Sequence, residues 1–260
     1  VLGMLILAAG IIWSGFYLRN RQNNTVAVAP APIQNVAPTT PAANNLTAPI
    51  PTANVEPAPT KVETAVQPRT ILQPPNTVYF QNKKENLGDA ATKNFLGFSL
   101  YYPQNWTLKK AKTNFLDVSD TDEKGLPIEQ FLVSYYDSQG TFDADRKEFP
   151  KLLNKSNNDL KKALQGNYKL VSQGEIKIQN NRLNAFEVKF ESAGTAANGE
   201  KVTLWGRRLW IPAERAGAKN GYVITMLATS LSPDIKSVEE VGVKGDLSTV
   251  LETFEPSPNL

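Results

Sequence analysis

The sequence predicts an α+β fold, an antiparallel sheet of about six strands sandwiched by helices, preceded by one transmembrane helix and a disordered linker. Three observations predict it. Apolar residues alternate with polar ones in one stretch after another from Gly97 onward, the period of half-buried strands. One intervening stretch, 149–164, changes to a helical period. The strand patterns are joined mostly by short turn sequences, which suits antiparallel neighbours rather than crossovers.

Phe98, Leu100 and Tyr102 share one strand face, and Pro103-Gln104-Asn105 turns the chain into Trp106-Thr107-Leu108. Phe115 to Val118 forms a further short strand. Gln130 to Tyr136 is apolar on both faces, which predicts an interior strand. Phe149, Leu152, Leu153, Leu160, Ala163 and Leu164 fall on one helical face, and Gly166-Asn167 stops the helix. Tyr168 to Ile178 and Leu183 to Phe190 flank Gln179-Asn180-Asn181-Arg182, a hairpin signal. Val202 to Ile211 and Gly221 to Ser230 complete the sheet. Asp246 precedes Leu247, Val250, Leu251 and Phe254, the pattern of a capped amphipathic helix.

Ahead of this domain the composition shifts sharply. Val1 to Leu18 carries only Ser14 as a clearly polar side chain. At about 1.5 Å per residue it spans roughly 27 Å, enough for a bilayer core. Trp13, Phe16 and Tyr17 cluster at its end, followed by Arg19 and Arg21, as an interfacial belt would be. The segment therefore reads as a retained anchor rather than a cleaved leader, since Leu18-Arg19-Asn20 offers no small-residue cleavage site. Residues 19–76 form a Pro/Ala/Thr-rich tether. Between Gln22 and Asn76 lie eleven of the chain's eighteen prolines, with no Gly and no aromatic residue. Such a segment buries too little apolar surface to offset its ordering entropy. Its reach is about 40 Å as a coil and about 170 Å if fully extended. Residues 77–260 make the globular domain.

Composition limits the chemistry. The chain has no Cys and no His, which removes thiolate catalysis, disulfides, thiolate metal sites and every Ser-His-Asp arrangement. A net charge of +3 over 260 residues gives no case for nucleic acid. No catalytic residue and no cofactor is expected, and the segment is expected not to be an enzyme.

The run Gly97-Phe-Ser-Leu-Tyr-Tyr-Pro-Gln-Asn-Trp106 is similar to the opening hairpin of PsbP-like domains, which often begin Phe-x-hydrophobic-x-x-Pro-x-x-Trp. The resemblance covers roughly Asn94 to Glu255. It implies the Mog1/PsbP fold and a non-enzymatic assembly or binding role on the lumenal or periplasmic side of a membrane, the family including the extrinsic oxygen-evolving-complex protein of photosystem II and many cyanobacterial relatives. The long Pro-rich tether departs from the family's usual form, and no metal or docking residue of the family can be matched here.

Two clusters stand out as candidate sites. Asp117, Asp120 and Asp122, with Glu123, form an acidic loop whose start resembles a calcium site, but Lys124 stands where an oxygen ligand is needed; a solvated hairpin turn is the plainer reading. Trp205, Arg207, Arg208 and Trp210 are the candidate protein-binding residues. Strand alternation places Trp205, Arg207 and Leu209 on one face and Arg208 and Trp210 on the other. Arg beside Trp on an exposed face is the composition of interface hot spots; the alternative is that the tryptophans are core. The lysines at 109, 110, 112, 161 and 162 read as solvated charges, and Tyr101, Tyr102, Tyr135 and Tyr136 as sheet packing.

The expected function is a membrane-anchored extracytoplasmic protein-binding or assembly module, located in the periplasm or thylakoid lumen. It touches the membrane through residues 1–18 and meets a protein partner on the extracytoplasmic side. The alternative is the outer sensor of a receptor, such as a Ser/Thr protein kinase, whose cytoplasmic domain precedes residue 1.

Overall fold

The computed structural model describes residues 69–87, 89–109, 114–123, 126–164, 167–195 and 201–257. The expected anchor, 1–18, and the tether up to residue 68 lie outside them. Among the described residues no helix is long and apolar enough to cross a membrane.

The elements run β1 (Thr77–Gln81), α1 (Asp89–Thr92), β2 (Phe98–Pro103), β3 (Thr107–Leu108), β4 (Leu116–Thr121), β5 (Pro127–Asp137), α2 (Phe142–Asp145), α3 (Phe149–Ala163), β6 (Tyr168–Ile178), β7 (Leu183–Thr195), β8 (Lys201–Ile211), β9 (Asn220–Thr229), α4 (Gly245–Thr253) and β10 (Glu255–Pro256). They form an α+β domain with two antiparallel sheets. The larger has seven strands in the order β3-β4-β5-β9-β8-β7-β6, and the smaller has three in the order β1-β2-β10. The sheet is therefore larger than the six strands expected, and a second sheet accompanies it.

Long strands with short links generate most of the order, through the β4–β5, β6–β7, β7–β8 and β8–β9 hairpins. Chain-distant β5 and β9 pair over nine residues, from Glu129↔Ala228 to Asp137↔Asn220. The tip of the β6–β7 hairpin holds three consecutive left-handed residues, Gln179, Asn180 and Asn181, with φ of 52°, 55° and 66°. Asparagine tolerates this region better than most side chains, which is why this tip can turn so tightly without glycine.

The main sheet is covered on both faces. One face carries Phe131, Val133, Leu209, Ile211, Tyr222, Ile224 and Met226, packed with Phe98, Leu100, Leu247, Val250 and Phe254. The other carries Phe186, Val188, Phe190, Trp210 and Leu227, packed with Phe149, Leu153 and Leu160 of α3. Along β8 and β9 consecutive residues alternate between these two cores, as the period of a strand requires. The covers differ from the expected pair of helices. The long helix α3 lies on one face, whereas the small sheet and α4 close the other.

Two local expectations change. Asp246 does not cap α4, because the helix starts at Gly245, with φ of +60°, and Lys244 stands at its N-cap position without a side-chain bond. The folded unit also takes in residues ahead of Thr77. The Arg69 Nε donates to Glu255 Oε2 at 3.2 Å, and the Thr77 hydroxyl bonds the Pro74 carbonyl at 2.6 Å.

Gly206 of β8 faces Phe190 of β7 across the ladder, and a Cβ there would overlap the Phe190 ring. Gly206→Ala should destabilise the domain by about 1–3 kcal/mol through overpacking. Phe190→Leu in the same chain should recover part of that loss, as measured by urea unfolding.

Candidate binding surface

The small sheet owes its two faces to β2. Phe98 and Leu100 are 0% and 1% exposed and point into the core. Alternation then turns Ser99 and Tyr101 outward. Tyr101 pairs across the ladder with Tyr79 of β1, and their ring centroids lie 5.2 Å apart at an interplanar angle of 54°. Tyr79 is 52% exposed, while Tyr101 is half-buried.

Beside this tyrosine pair runs an open groove of about 260 Å³, bordered by Arg69, Ile71, Tyr79, Tyr101, Thr253 and Glu255. Its wall exists because α4 ends against the uncovered part of the β2 edge. The Thr253 hydroxyl accepts the Tyr101 N–H at 3.1 Å and also lies 3.1 Å from the Tyr101 carbonyl. A side chain thereby replaces the strand that β10, only two residues long, does not supply. Glu255, on β10, is 6% exposed. It accepts bonds from Arg69 and from Arg182 at the β6–β7 hairpin tip. Burial pushes the Arg182 guanidinium down, and the Glu255 carboxylate opposes that shift. Gln179 of the same tip donates to the carbonyls of Leu251 and Phe254, both at 2.7 Å. The groove is thus lined by aromatic, aliphatic and hydroxyl groups beside a cluster of one carboxylate and two guanidiniums.

The sequence-predicted protein-binding residues lie elsewhere, and their exposure is corrected. Arg207 and Arg208 are each 4% exposed, Trp210 is also 4% exposed, and Trp205 is half-buried against the core. The predicted alternation holds, but β8 lies inside the sheet with both faces covered. Arg207 Nε donates to Glu187 Oε1 at 2.6 Å, and its Nη1 reaches the carbonyls of Val241 and Gly242. Arg208 donates to the hydroxyls of Thr225 and Ser156, each at 2.9 Å, beneath α3. Burial pushes the Arg208 guanidinium down to about 10. Arg207, Arg208 and Trp210 therefore have almost no surface to offer a partner, and Trp205 keeps only part of its own.

The acidic candidates do not converge. Asp117 is 2% exposed, accepts from the Gln130 amide at 2.9 Å and is raised by burial to about 6. Asp122 accepts the Leu126 N–H at 2.7 Å and so closes a turn. Asp120 pairs with Glu129 in the β4–β5 ladder. Among the described residues no three His, Cys, Asp or Glu group as metal ligands would; Lys124 and Gly125 of this loop lie outside them.

The residues that do form a surface site went unread in the sequence. Tyr101 was expected as packing, and β1 was not expected at all. The one signal that could have found them is Thr77-Val-Tyr-Phe-Gln81, a short β-rich run just after Pro74-Pro75.

No protein-family model matches the chain, and no curated protein matches it. Several solved structures align with it, including the following two. One is the cyanobacterial PsbP (CyanoP) of Synechocystis, at 11% identity and a TM-score of 0.40, covering 70% of this chain and 93% of that one. The other is LpqN of Mycobacterium tuberculosis, described as involved in cell envelope biogenesis, at 12% identity and a TM-score of 0.39, covering 70% of this chain and 92% of that one.

Two predictions follow from the buried charges. Arg207→Leu should cost about 3–5 kcal/mol, because it strands Glu187 without its partner, and Arg207→Leu with Glu187→Leu should recover much of it. Denaturant unfolding of the single and double variants measures both. The second concerns pH. The folded-state pKa of Asp117 lies above the ordinary carboxylate value, so the fold favours its neutral form. Its penalty is fully present above about pH 6 and fades as the pH falls toward 3.8, a difference of up to about 3 kcal/mol. The protein should melt higher at pH 5 than at pH 8, and Asp117→Asn should shrink that difference by raising the melting temperature at pH 8.

Proposed function

We propose that this chain is a membrane-anchored, extracytoplasmic binding and assembly module without chemistry of its own, and that it takes its protein partner on the outer face of the small sheet. The observation that carries this reading is the Tyr79–Tyr101 pair. Tyrosine supplies large contact area with few rotors and a hydroxyl at its tip, which is why it concentrates where proteins bind. Here two such rings stand side by side with Tyr79 half in solvent, next to a groove whose carboxylate is already engaged by two arginines.

The surface is also supported from behind. The inward neighbours of Tyr101, Leu100 and Tyr102, are buried, and the β2 edge is held by Thr253. A partner would meet a preorganised surface, with little ordering cost on this side. The Pro-rich tether suits the role, because it raises the concentration of the domain near membrane-bound partners. The PsbP-like motif at Phe98 to Trp106 supports placing that partner in an assembly on the lumenal or periplasmic side.

A photo-reactive phenylalanine analogue at position 79, in the full chain in its native membrane, tests the surface. A single protein adduct is expected from position 79 and not from Lys155, on the exposed face of α3. Tyr101→Ala should lower the yield at least fivefold while shifting the melting temperature by only a few degrees. Equal labelling from both positions, or an adduct indifferent to Tyr101, would exclude this face.

A further inference from the structure

We propose that the Tyr79–Tyr101 groove takes an acidic side chain of the protein partner, a glutamate on an extended segment, and that Arg69 receives its carboxylate. This rests on reading that groove as the binding surface.

The first support is charge. Two guanidiniums, Arg69 and Arg182, meet a single carboxylate, Glu255. Arg69 takes one of its oxygens, Oε2, and Arg182 takes the other, Oε1. The cluster therefore holds one positive charge in excess. Its members are not equally accessible. The Glu255 side chain is 8% exposed, that of Arg182 18% and that of Arg69 31%. The anion lies underneath and a cation lies outermost, so a group entering the groove meets positive charge first. The excess is felt inside the cluster. Burial pushes the Arg182 guanidinium down, Glu255 opposes that shift, and the neighbouring charge of Arg69 adds to it. A second carboxylate at Arg69 would balance the cluster and relieve this repulsion.

The second support is that Arg69 has donors left for it. Its Nε donates to Glu255 and its Nη2 to the Glu252 carbonyl. A guanidinium carries five N–H groups, and among the described residues Arg69 spends its bonds on these two acceptors. A carboxylate can be held at Nη1 by charge-assisted bonds without breaking either.

The third support is the lining. Glutamate brings two methylenes beneath its charge, and Ile71 with the Tyr79 and Tyr101 rings offers them apolar surface. The tyrosine hydroxyls are donors suited to a carboxylate. The groove, at about 260 Å³ and open, is smaller than the roughly 300–1,000 Å³ of pockets that enclose a whole small ligand. It fits one side chain presented by a surface. Arginine beside tyrosine is also where binding energy concentrates in protein interfaces.

The test uses the full chain in detergent micelles, labelled with nitrogen-15 and read by NMR. The probes are acetyl-Thr-Val-Glu-Val-Thr-amide, the same peptide with Gln in place of Glu, and inorganic phosphate. The Glu peptide is expected to shift the Arg69 Nε–H signal and the Tyr79 and Tyr101 amides, and to bind at least fivefold tighter than the Gln peptide. Arg69→Gln should abolish that preference, and Arg69→Lys should keep part of it. Raising salt from 0.05 to about 0.5 M, which shortens the screening length severalfold, should shrink the preference in the unaltered chain. This last comparison needs no substitution, so a variant that folds poorly does not decide the matter. Equal affinity for the Glu and Gln peptides, or shifts confined to residues away from the groove, would overturn the proposal. So would phosphate binding tighter than the Glu peptide, which would make the site one for a phosphorylated ligand. Each of these leaves the groove reading to the adduct from position 79: a partner adduct that persists would keep the surface and reject only its acidic occupant, whereas loss of the adduct would remove both.

Discussion

The rest of the structure depends on the burial of one aromatic ring. Phe98, at 0% exposure, has its centroid within 6.3 Å of Phe80, Phe115, Tyr222 and Phe254. Those partners come from β1, the start of β4, β9 and the end of α4. A single side chain therefore joins the small sheet, the large sheet and the C-terminal helix. Tyr222 adds a directional tie, since its hydroxyl donates to the Gly97 carbonyl at 2.8 Å. Contacts of this kind contribute about 0.5–1.5 kcal/mol each beyond area burial, and here they converge. Once Phe98 is fixed inward, strand alternation leaves Tyr101 no direction but outward. The exposed tyrosine pair is thus a geometric consequence of the core.

Covering the large sheet on both faces has a second consequence. Its interior strands must hide whatever they carry, polar groups included. The chain meets this with specific partners: Arg207 with Glu187, Arg208 with hydroxyls under α3, Asp117 with Gln130, and Glu129 with Ser232 at 2.6 Å. The match is incomplete, because Glu129 Oε2 has no partner and lies in the field of Asp120, Asp234 and Asp246, which together with burial raises its pKa. Such groups add little net stability, but removing one member of a pair is costly. They make the interior selective about register: a one-residue slip of β8 would pull Arg207 away from Glu187 and drive Trp210 into the opposite core.

Much of this fold was legible because long strands and one amphipathic helix carry strong periodic signals. β5 to β9 and α3 follow the apolar pattern closely, and the tip at Gln179 to Arg182 follows turn chemistry. The short elements were not legible. A two-residue strand such as β10 has no period, and β1 gains its identity only by pairing with β2. The Arg/Trp run shows a different limit. Alternation correctly sorted Trp205, Arg207, Arg208 and Trp210 by face, but no sequence pattern says whether a face is covered. That depends on α3 and on the small sheet, whose contacts with β8 are distant in sequence. The site was missed for the complementary reason: its residues are ordinary strand tyrosines made notable only by what does not cover them.

The C-terminal segment links these facts to the incoming chain at Arg69. Glu255 is held by Arg182 from the β6–β7 tip and by Arg69 from the incoming chain, and Gln179 grips the end of α4. The chain's entry into the domain and its exit are therefore clamped to the same spot, on the rim of the tyrosine groove. Arg69 is partly exposed, and its 3.2 Å bond is to a carboxylate that Arg182 also binds. Releasing it would unwall one side of the groove without disturbing Phe98 or the two cores. The entry of the chain and the shape of the groove are in this way connected through one arginine, while the fold that supports the tyrosines stays independent of it.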